Sequence, residues 1–320
     1  RRIWDSPDGH SIKYNFDEKE GFQRIKEAES LVKDYDNTFD GRIHIMLGPT
    51  QTMTCTPEML KETRRLADRL GITNHAAEGL TEFEGCARIH GKTPIQLCAD
   101  TGMLGEDVVI AHCVFTTGHS QVFIRGKQDL KLLGDSHTNV AHSPTPFIRV
   151  GTCLESFGKY RDAGVNMGMG NDTFPSDMLQ EMRLAVFMAK AMEHTTYRTQ
   201  AKDVFHAATL GGAKAFGRTD IGRLCEGAKA DFIVMDLSTI EMTPARDVIK
   251  NVVYSGTRHS VSRVYVEGEC IVRDGKACGI DEAALCEELQ EICEAAWKVL
   301  RAEDGRQMDE IYPMTYPRYV

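Results

Sequence analysis

The chain has 320 residues, of which 42% are hydrophobic and 27% charged, so it can bury one large core or a large core and a small one. Its 47 acidic and 38 basic residues give a formal charge of −9, which argues against nucleic acid and anionic membrane surfaces as partners. No apolar run approaches the roughly 18 residues that a membrane-spanning helix needs. We therefore expect a cytoplasmic protein that acts on a small molecule. Ten cysteines without a CxxC pair indicate reduced thiols.

Apolar, β-rich runs begin near residues 42, 72, 107, 138 and 165, with the sequences "RIHIMLG", "ITNHA", "DVVIAHC", "TNVAHS" and "VNMGMGND". Helix-patterned segments lie between them, such as "TPEMLKETRRLADRLG", which starts at a threonine and stops at a glycine. The spacing of about 30 residues matches the repeat of a (β/α)8 TIM-type barrel, and a doubly wound sheet is the competing architecture. Residues 118–135, after the third run, are predicted to form a loop and a helix, and a lid is the alternative.

Polar residues end four successive predicted strands, namely His75, His112, His142 and Asp172. In a barrel the carboxyl ends of the strands form the face where catalytic residues converge. We therefore predict an α/β fold with a TIM-type barrel, of which this chain holds about strands 4 to 8. An isolated histidine and glutamate three positions apart, as in "ITNHAAEG", is more often structural, so the other strand ends carry the prediction of a shared site.

The pattern changes after the last predicted strand. An amphipathic helix is predicted for "FPSDMLQEMRLAVFMAKAME" and two short helices for residues 200–217. Short strands are predicted in "DIGRLCEGAKADFIVMDL", "NVVYSG" and "VSRVYVEGECIVRDGK". We assign residues 1–220 to the barrel, 221–278 to a small appended β-sandwich module, and 279–320 to a C-terminal helix and an extended, proline-broken tail.

Six ordered motifs between residues 42 and 278 resemble the amidohydrolase superfamily in its deaminase and chlorohydrolase branch, which includes cytosine deaminase-like and triazine hydrolase-like proteins. They are "NHAAEG", "VVIAHCVF", "VAHSP", "MGMGNDTFPSDML", "ATLGGAKAFG" and "IGRLCEGAKADFIVMDL". The resemblance implies a metal-dependent hydrolase in which a metal-activated water removes an amino group or a halide from a nitrogen-rich heterocycle. It also implies a homodimer.

Site roles follow from the same resemblance. His75 maps to a metal ligand, and Glu78 maps to the residue that shuttles protons. His112 maps to the residue that orients the attacking water or the substrate, and Asp172 to a metal ligand that also contacts that water. One divalent ion is expected, and zinc is favoured. Iron is the alternative, because histidine and carboxylate ligands suit both metals.

The chain departs from the family pattern in two places. It has no histidine, any residue, histidine pair, so we expect an N-terminally incomplete chain whose upstream part holds that pair, strands 1 to 3 and the opening strands of the small module. Pro146 and Phe147 stand where relatives carry serine and asparagine, which indicates a changed pocket wall. His142 and His119 are candidate substrate contacts, and packing roles are the alternative for both.

Two other functions stay open. The same site could hydrolyse acyclic amide, urea or amidine bonds, or the chain could be a catalytically inactive scaffold. The presence of all four site residues argues against a scaffold. No lysine ends "RIHIMLGPTQ", which argues against a binuclear metal site bridged by a carbamylated lysine.

Overall fold

The structure is a computed structural model that describes residues 2–4, 12–67 and 70–304, with side chains described for 15–67 and 70–299. The strands are β1 (Arg2–Trp4), β2 (Ile12–Tyr14), β3 (Ile72–Ala76), β4 (Val108–His112), β5 (Asn139–His142), β6 (Asn166–Met169), β7 (Phe232–Met235), β8 (Val261–Val266), β9 (Glu269–Arg273) and β10 (Lys276–Ala277). The predicted tail at residues 312–320 lies outside the described residues.

Thirteen α-helices occur in the described residues. They are α1 (Glu18–Tyr35), α2 (Thr38–Gly41), α3 (Pro57–Leu66), α4 (Leu80–His90), α5 (Pro94–Asp100), α6 (Gln128–Asp135), α7 (Pro144–Arg149), α8 (Phe157–Asp162), α9 (Met178–Glu193), α10 (Ala201–His206), α11 (Gly212–Ala215), α12 (Val248–Ser255) and α13 (Glu282–Asp304). A π-helical turn, Ala207–Gly211, joins α10 to α11. None of the helices described is long and apolar enough to cross a membrane.

Strands β3, β4, β5 and β6 form a parallel sheet in that order. Ala76 pairs with His112 across β3 and β4, and His142 pairs with Met169 across β5 and β6. Because parallel strands all point the same way, their carboxyl ends share one edge of the sheet. The predicted α/β fold with a parallel sheet is confirmed, and the predicted loop and helix at residues 118–135 contain α6.

The first predicted strand, at residues 42–48, is wrong as a regular strand. This segment runs parallel to β3 but pairs with it only at two isolated positions, Leu47 with Ile72 and Gln51 with His75. Pro49, between the two positions, has no N–H to donate. The chain therefore follows the edge of β3 with an interrupted ladder, and this places Thr50 and Gln51 beside the end of β3.

Helices cover the sheet, and several of them begin at residues whose side chains accept backbone hydrogen bonds. Thr56 caps α3 and Asp177 caps α9, while Thr93 and Gln96 form a capping box at the start of α5. The apolar core lies between sheet and helices. Its largest fully buried side chains include Phe83, Phe157, Met53, Leu60, Ile72 and Ile110.

Residues 232–277 hold a second sheet, antiparallel, in the order β7, β8, β9, β10. The prediction of a strand in "NVVYSG" is wrong, because this sequence lies in α12. The Asp247 side chain accepts a hydrogen bond from the Lys250 N–H, which caps the helix, and Gly256 follows its last residue. Val252 and Val253 favour a strand by their residue type, but the caps at both ends stabilise a helix here.

Candidate active site

The carboxyl edge of the parallel sheet carries unusual backbone geometry. Five non-glycine residues there have φ in the left-handed region: Thr50 at 72°, Ala77 at 55°, His112 at 73°, Cys113 at 53° and Asp172 at 58°. Each such residue costs on the order of 1 kcal/mol or more unless its surroundings hold it, and such residues concentrate at binding and catalytic sites. The chain therefore turns sharply as it leaves the strands, at the edge where the sequence places the candidate residues.

His112 is the most deeply buried of the four histidine and aspartate residues predicted at the strand ends, with 2% of its surface exposed. Neither ring nitrogen has a hydrogen-bond partner, although an unpaired buried polar atom costs about 1–3 kcal/mol. Burial lowers the pKa of His112 below its ordinary value, opposed by the charges of Glu78 and Asp172. The ring is thus uncharged at neutral pH and offers one N–H and one lone pair to whatever enters the site.

The His75 ring stacks on the His112 ring, with centroids 5.2 Å apart and an interplanar angle of 29°. Its Nδ1 bonds to the backbone carbonyl oxygen of Thr50. A carbonyl oxygen only accepts, so Nδ1 carries the hydrogen and the Nε2 lone pair is left unprotonated. This is the tautomer and orientation that a histidine needs to bind a metal through Nε2.

Asp172 follows β6 and approaches the His112 ring. Its Oδ2 lies 3.7 Å from His112 Nε2, beyond hydrogen-bond reach, and its side chain is 44% exposed. Imidazole nitrogen and carboxylate oxygen are ligands that zinc accepts. Among the described residues no group of three or more histidine, cysteine, aspartate or glutamate side chains is arranged as a complete metal site. The donors present fit part of a zinc shell.

Glu78 comes three residues after His75, between β3 and α4, and is half-buried. Its Oε2 accepts a hydrogen bond of 2.7 Å from Gln51 Nε2. Its backbone N–H donates to Oε2 of Glu82, also at 2.7 Å. The main chain and the carboxylate of Glu78 are therefore each fixed by a different residue.

Glu82 itself is 3% exposed, and its Oε1 has no partner. Burial, with a smaller contribution from the charge of Glu78, raises the pKa of Glu82 to about 8, and hydrogen bonds from the backbone N–H groups of residues 77–79 oppose the rise. A second carboxyl group, uncharged at neutral pH, thus lies directly behind the first.

His142 ends β5 and is 4% exposed, with an unpartnered Nδ1. Burial lowers the pKa of His142 to about 3, and the proximity of His112 contributes. One residue before Asp172, the Asn171 amide nitrogen is also buried without a partner. The edge therefore holds two further polar groups without a protein partner.

His119 differs from His142. Its Nδ1 accepts a hydrogen bond from the Gln121 N–H at 3.2 Å, and its Nε2 donates to the Cys153 carbonyl at 3.1 Å. Both ring nitrogens are thus satisfied within the protein. This geometry favours the packing alternative for His119, and we do not retain it as a substrate contact.

The Phe147 ring meets the His112 ring edge-on, at a centroid distance of 5.1 Å. Phe147, where the sequence predicts a changed pocket wall, therefore lies against the site. A cavity of about 1210 Å³ is elsewhere: residues that precede the strands, such as Gly71, Asp107 and His137, line it at the opposite edge of the sheet. It takes no part in the cluster around His112.

The sequence match to a known family model decides the family of the chain. Residues 7–271 match the model of the amidohydrolase family. The chain belongs to this family. A 5'-deoxyadenosine deaminase of Methanopyrus kandleri is 31% identical to this amidohydrolase over 278 residues, which cover 85% of the chain and 62% of that relative. The 5-methylthioadenosine/S-adenosylhomocysteine deaminase of Thermococcus onnurineus is 32% identical over 258 residues, covering 79% of the chain and 58% of that relative.

Among solved structures, the amidohydrolase resembles an adenosine deaminase from Xanthomonas campestris with bound zinc. The TM-score is 0.77 at 24% identity, and the match covers 86% of this chain and 62% of that one. The likeness establishes a shared fold. The amidohydrolase chain spans about six-tenths of the length of these relatives.

Sequence reasoning missed three polar residues of this amidohydrolase site: Gln51, Glu82 and Asn171. Gln51 lies in a segment that was expected to be a simple strand followed by a loop. Glu82 occupies the third helical position of α4, where glutamates often reach back to the preceding turn, and this position was the available signal. Asn171 gave no signal beyond its place next to Asp172.

Proposed function

We propose that this amidohydrolase is a metal-dependent aminohydrolase that replaces the amino group of an adenine-type ring with oxygen. The observation that carries the proposal is the cluster at the carboxyl edge of the sheet. There a buried, uncharged His112 with two unpartnered ring nitrogens lies between His75, Asp172 and a doubly anchored Glu78.

The donor set supports a zinc ion held by His75 Nε2 and the Asp172 carboxylate, and iron would accept the same ligands. When bound, such an ion supplies a coordinated water with its pKa lowered to about 7, and thus a nucleophile at neutral pH. His75 is prepared for this role because its Nδ1–H is committed to the Thr50 carbonyl.

Glu78 handles the protons. The water oxygen bonds to the ring carbon that bears the amino group, and Glu78 accepts a proton from that water and passes it to the adjacent ring nitrogen. The second water proton goes to the departing amino group through the same carboxylate, the C–N bond breaks, and ammonia leaves. Gln51 keeps the carboxylate in place during both transfers.

His112 binds and orients. Its single N–H donates to the oxygen that becomes the ring carbonyl, where negative charge develops. His142 offers a further uncharged ring nitrogen to the substrate. Phe147 supplies an apolar wall beside His112, suited to the face or edge of an aromatic ring.

The substrate class is inferred from the relatives, which are named as deaminases of 5'-deoxyadenosine and of 5-methylthioadenosine and S-adenosylhomocysteine. These compounds share an adenine ring with a 6-amino group and differ at the 5' position. We infer an adenine nucleoside with an altered 5' group as the substrate of this protein.

We also propose a division of the chain into domains. We assign the parallel sheet to the C-terminal part of a TIM-type barrel within residues 1–220, the antiparallel sheet to a β-sandwich module within 221–278, and residues 279–320 to a separate C-terminal segment. A homodimer is the expected assembly.

The test is an assay of the full protein loaded with zinc. Ammonia release is expected from 5'-deoxyadenosine and 5-methylthioadenosine, with loss of at least about 10² in kcat for Glu78→Gln. Chloride release from a chlorotriazine without ammonia release would favour dehalogenation, and ammonia from a simple amide, urea or amidine alone would favour acyclic substrates. No turnover of any of these compounds would favour an inactive scaffold.

A further inference from the structure

The helix that follows the site turn carries a buried carboxyl group to which the proposed chemistry assigns no role. Glu82 is the third residue of α4, and its Oε2 accepts the Glu78 N–H at 2.7 Å. The N-cap of α4, Gly79, has no side chain to bond the free N–H groups of the first turn. Glu82 therefore reaches back to the turn before the helix, as the glutamate of a capping box does, and no N-cap side chain accompanies it.

The surroundings of Glu82 disfavour a charge on it. It is 3% exposed, and its Oε1 has no hydrogen-bond partner. Among the described groups that shift the pKa of Glu82 there is no lysine, arginine or histidine. An ionised carboxylate in such a place has no counter-charge and too few donors for its lone pairs.

The titratable groups around Glu82 come from several elements and are acidic or uncharged. They are Glu78 in the turn, Cys86 on α4, Cys98 on α5, Cys113 after β4 and, through its effect on these thiols, Asp129 on α6. Burial raises the pKa of Cys86 and Cys98 to about 12, so both thiols stay protonated at neutral pH. Any negative charge on Glu82 would add to that of Glu78.

We propose that Glu82 is a positioning residue that works in its uncharged form, fixing the backbone of Glu78 so that the Glu78 carboxylate meets the substrate; this rests on the proposed function. The uncharged form keeps the hydrogen bond to the Glu78 N–H, because a protonated carboxyl group still accepts through its carbonyl oxygen. Ionisation would place a second negative charge beside the proton shuttle and repel the Glu78 carboxylate.

Two variants separate positioning from charge. Glu82→Ala removes the bond to the Glu78 N–H and is expected to lower kcat by about 10- to 100-fold with KM little changed, the range for groups that orient a catalytic residue. Glu82→Gln keeps an oxygen acceptor of the same reach and is expected to recover most of the lost kcat. It should also remove the fall of the wild-type kcat above pH 8, since the group that ionises there is gone.

Stability gives a readout that needs no substrate. The pKa of Glu82 is raised from an ordinary value of 4.5 to about 8 on folding, so the folded state holds the proton between these values while the unfolded state releases it. The wild-type Tm should therefore fall as the pH rises from 4.5 through 8. Glu82→Gln should lack this part of the fall, so the Tm of the variant gains on that of the wild type at alkaline pH. Glu84→Gln, an exposed glutamate on the same helix, is the matched control and should follow the wild type.

The deciding experiment is a carbon-13 NMR titration of side-chain carboxyl groups in the full protein, with the Glu82 signal assigned by its absence in Glu82→Gln. A midpoint near 8, together with loss of kcat in Glu82→Ala and recovery in Glu82→Gln, supports the inference. A midpoint near 4.5, or a Glu82→Ala kcat equal to that of the wild type, overturns it. Absence of wild-type turnover would instead count against the proposed function, and the titration would still decide the charge of Glu82.

Discussion

At the scale of single residues, hydrogen bonds decide which nitrogen or oxygen of the site is left for chemistry. The Thr50 carbonyl fixes the His75 tautomer and leaves Nε2 for a metal. Gln51 fixes one oxygen of Glu78. His119, in contrast, has both ring nitrogens bonded to the backbone of the protein, which leaves neither nitrogen for a ligand. The same residue type therefore serves different roles according to its partners.

The proton-shuttle role of Glu78 predicts a selective loss in Glu78→Gln. The amide keeps the size of the side chain and still accepts from Gln51, so the fold and the zinc content should be unchanged. It cannot take a proton from water, so kcat should fall by about 10² or more while KM changes little. Steady-state kinetics of ammonia release measure this, and Glu84→Gln is the control. A near wild-type kcat for Glu78→Gln would contradict the role.

The unpartnered nitrogens of His112 predict that stability and activity oppose each other at this residue. In metal-free protein, His112→Leu removes two orphaned polar atoms and should raise the free energy of unfolding by about 1 kcal/mol. His119→Leu breaks two satisfied hydrogen bonds and should lower it by about 1–3 kcal/mol. Urea unfolding curves of both variants give the comparison. Equal destabilisation by both would mean that His112 is an ordinary core histidine.

The site residues at strand ends could be predicted because strand direction fixes where they meet. His112 and His142 end two strands of one parallel sheet and His75 lies one residue before the end of a third, and the sequence shows this register. Gln51 and Glu82 could not be predicted in the same way. Their place depends on how an interrupted edge segment and a helix pack on that edge, which no periodicity in the sequence reveals.

At the scale of elements, caps and close packing explain both the successes and the failures of sequence reasoning. Strands β3 to β6 and helix α9 have long apolar patterns and were predictable. The sequence "NVVYSG" has only a short pattern, and the Asp247 cap decides it as a helix. The segment at residues 42–48 has a strand-like pattern, yet its ladder with β3 is interrupted.

The contact between β6 and the π-helical turn predicts unequal effects of two adjacent glycine substitutions. A Cβ on Gly211 would lie 2.2 Å from the Met167 carbonyl oxygen, whereas a Cβ on Gly212 meets nothing closer than 3.8 Å. Both residues have helical φ, so neither substitution strains the backbone. Gly211→Ala should lower the free energy of unfolding by about 1–3 kcal/mol through overpacking. Gly212→Ala should leave it unchanged or raise it by up to about 1 kcal/mol.

Thermal or urea unfolding of both variants tests this contact. The two alanines differ only in what their Cβ atoms meet, so Gly212→Ala is the control for the general effect of alanine in a helix. Equal stability of the two variants would show that the turn does not press against β6 as described.

At the scale of the whole molecule, the parallel sheet gathers the chemistry at one edge, and the family match covers most of the chain. The cavity of about 1210 Å³ lies at the opposite edge and does not mark the site. Backbone geometry, unpartnered polar atoms and tautomers together point to the carboxyl edge. The central claim is that this edge holds a catalytic metal ion.

The most direct measurement of that claim is the zinc content of the full protein and its variants by elemental mass spectrometry. Wild type should hold one zinc per chain, and His75→Ala and Asp172→Ala should each lose most of it, because each removes a proposed ligand. His44→Ala changes an exposed histidine beside the large cavity at the other edge and should retain the full amount. Zinc content in His75→Ala and Asp172→Ala equal to that of wild type would contradict the account.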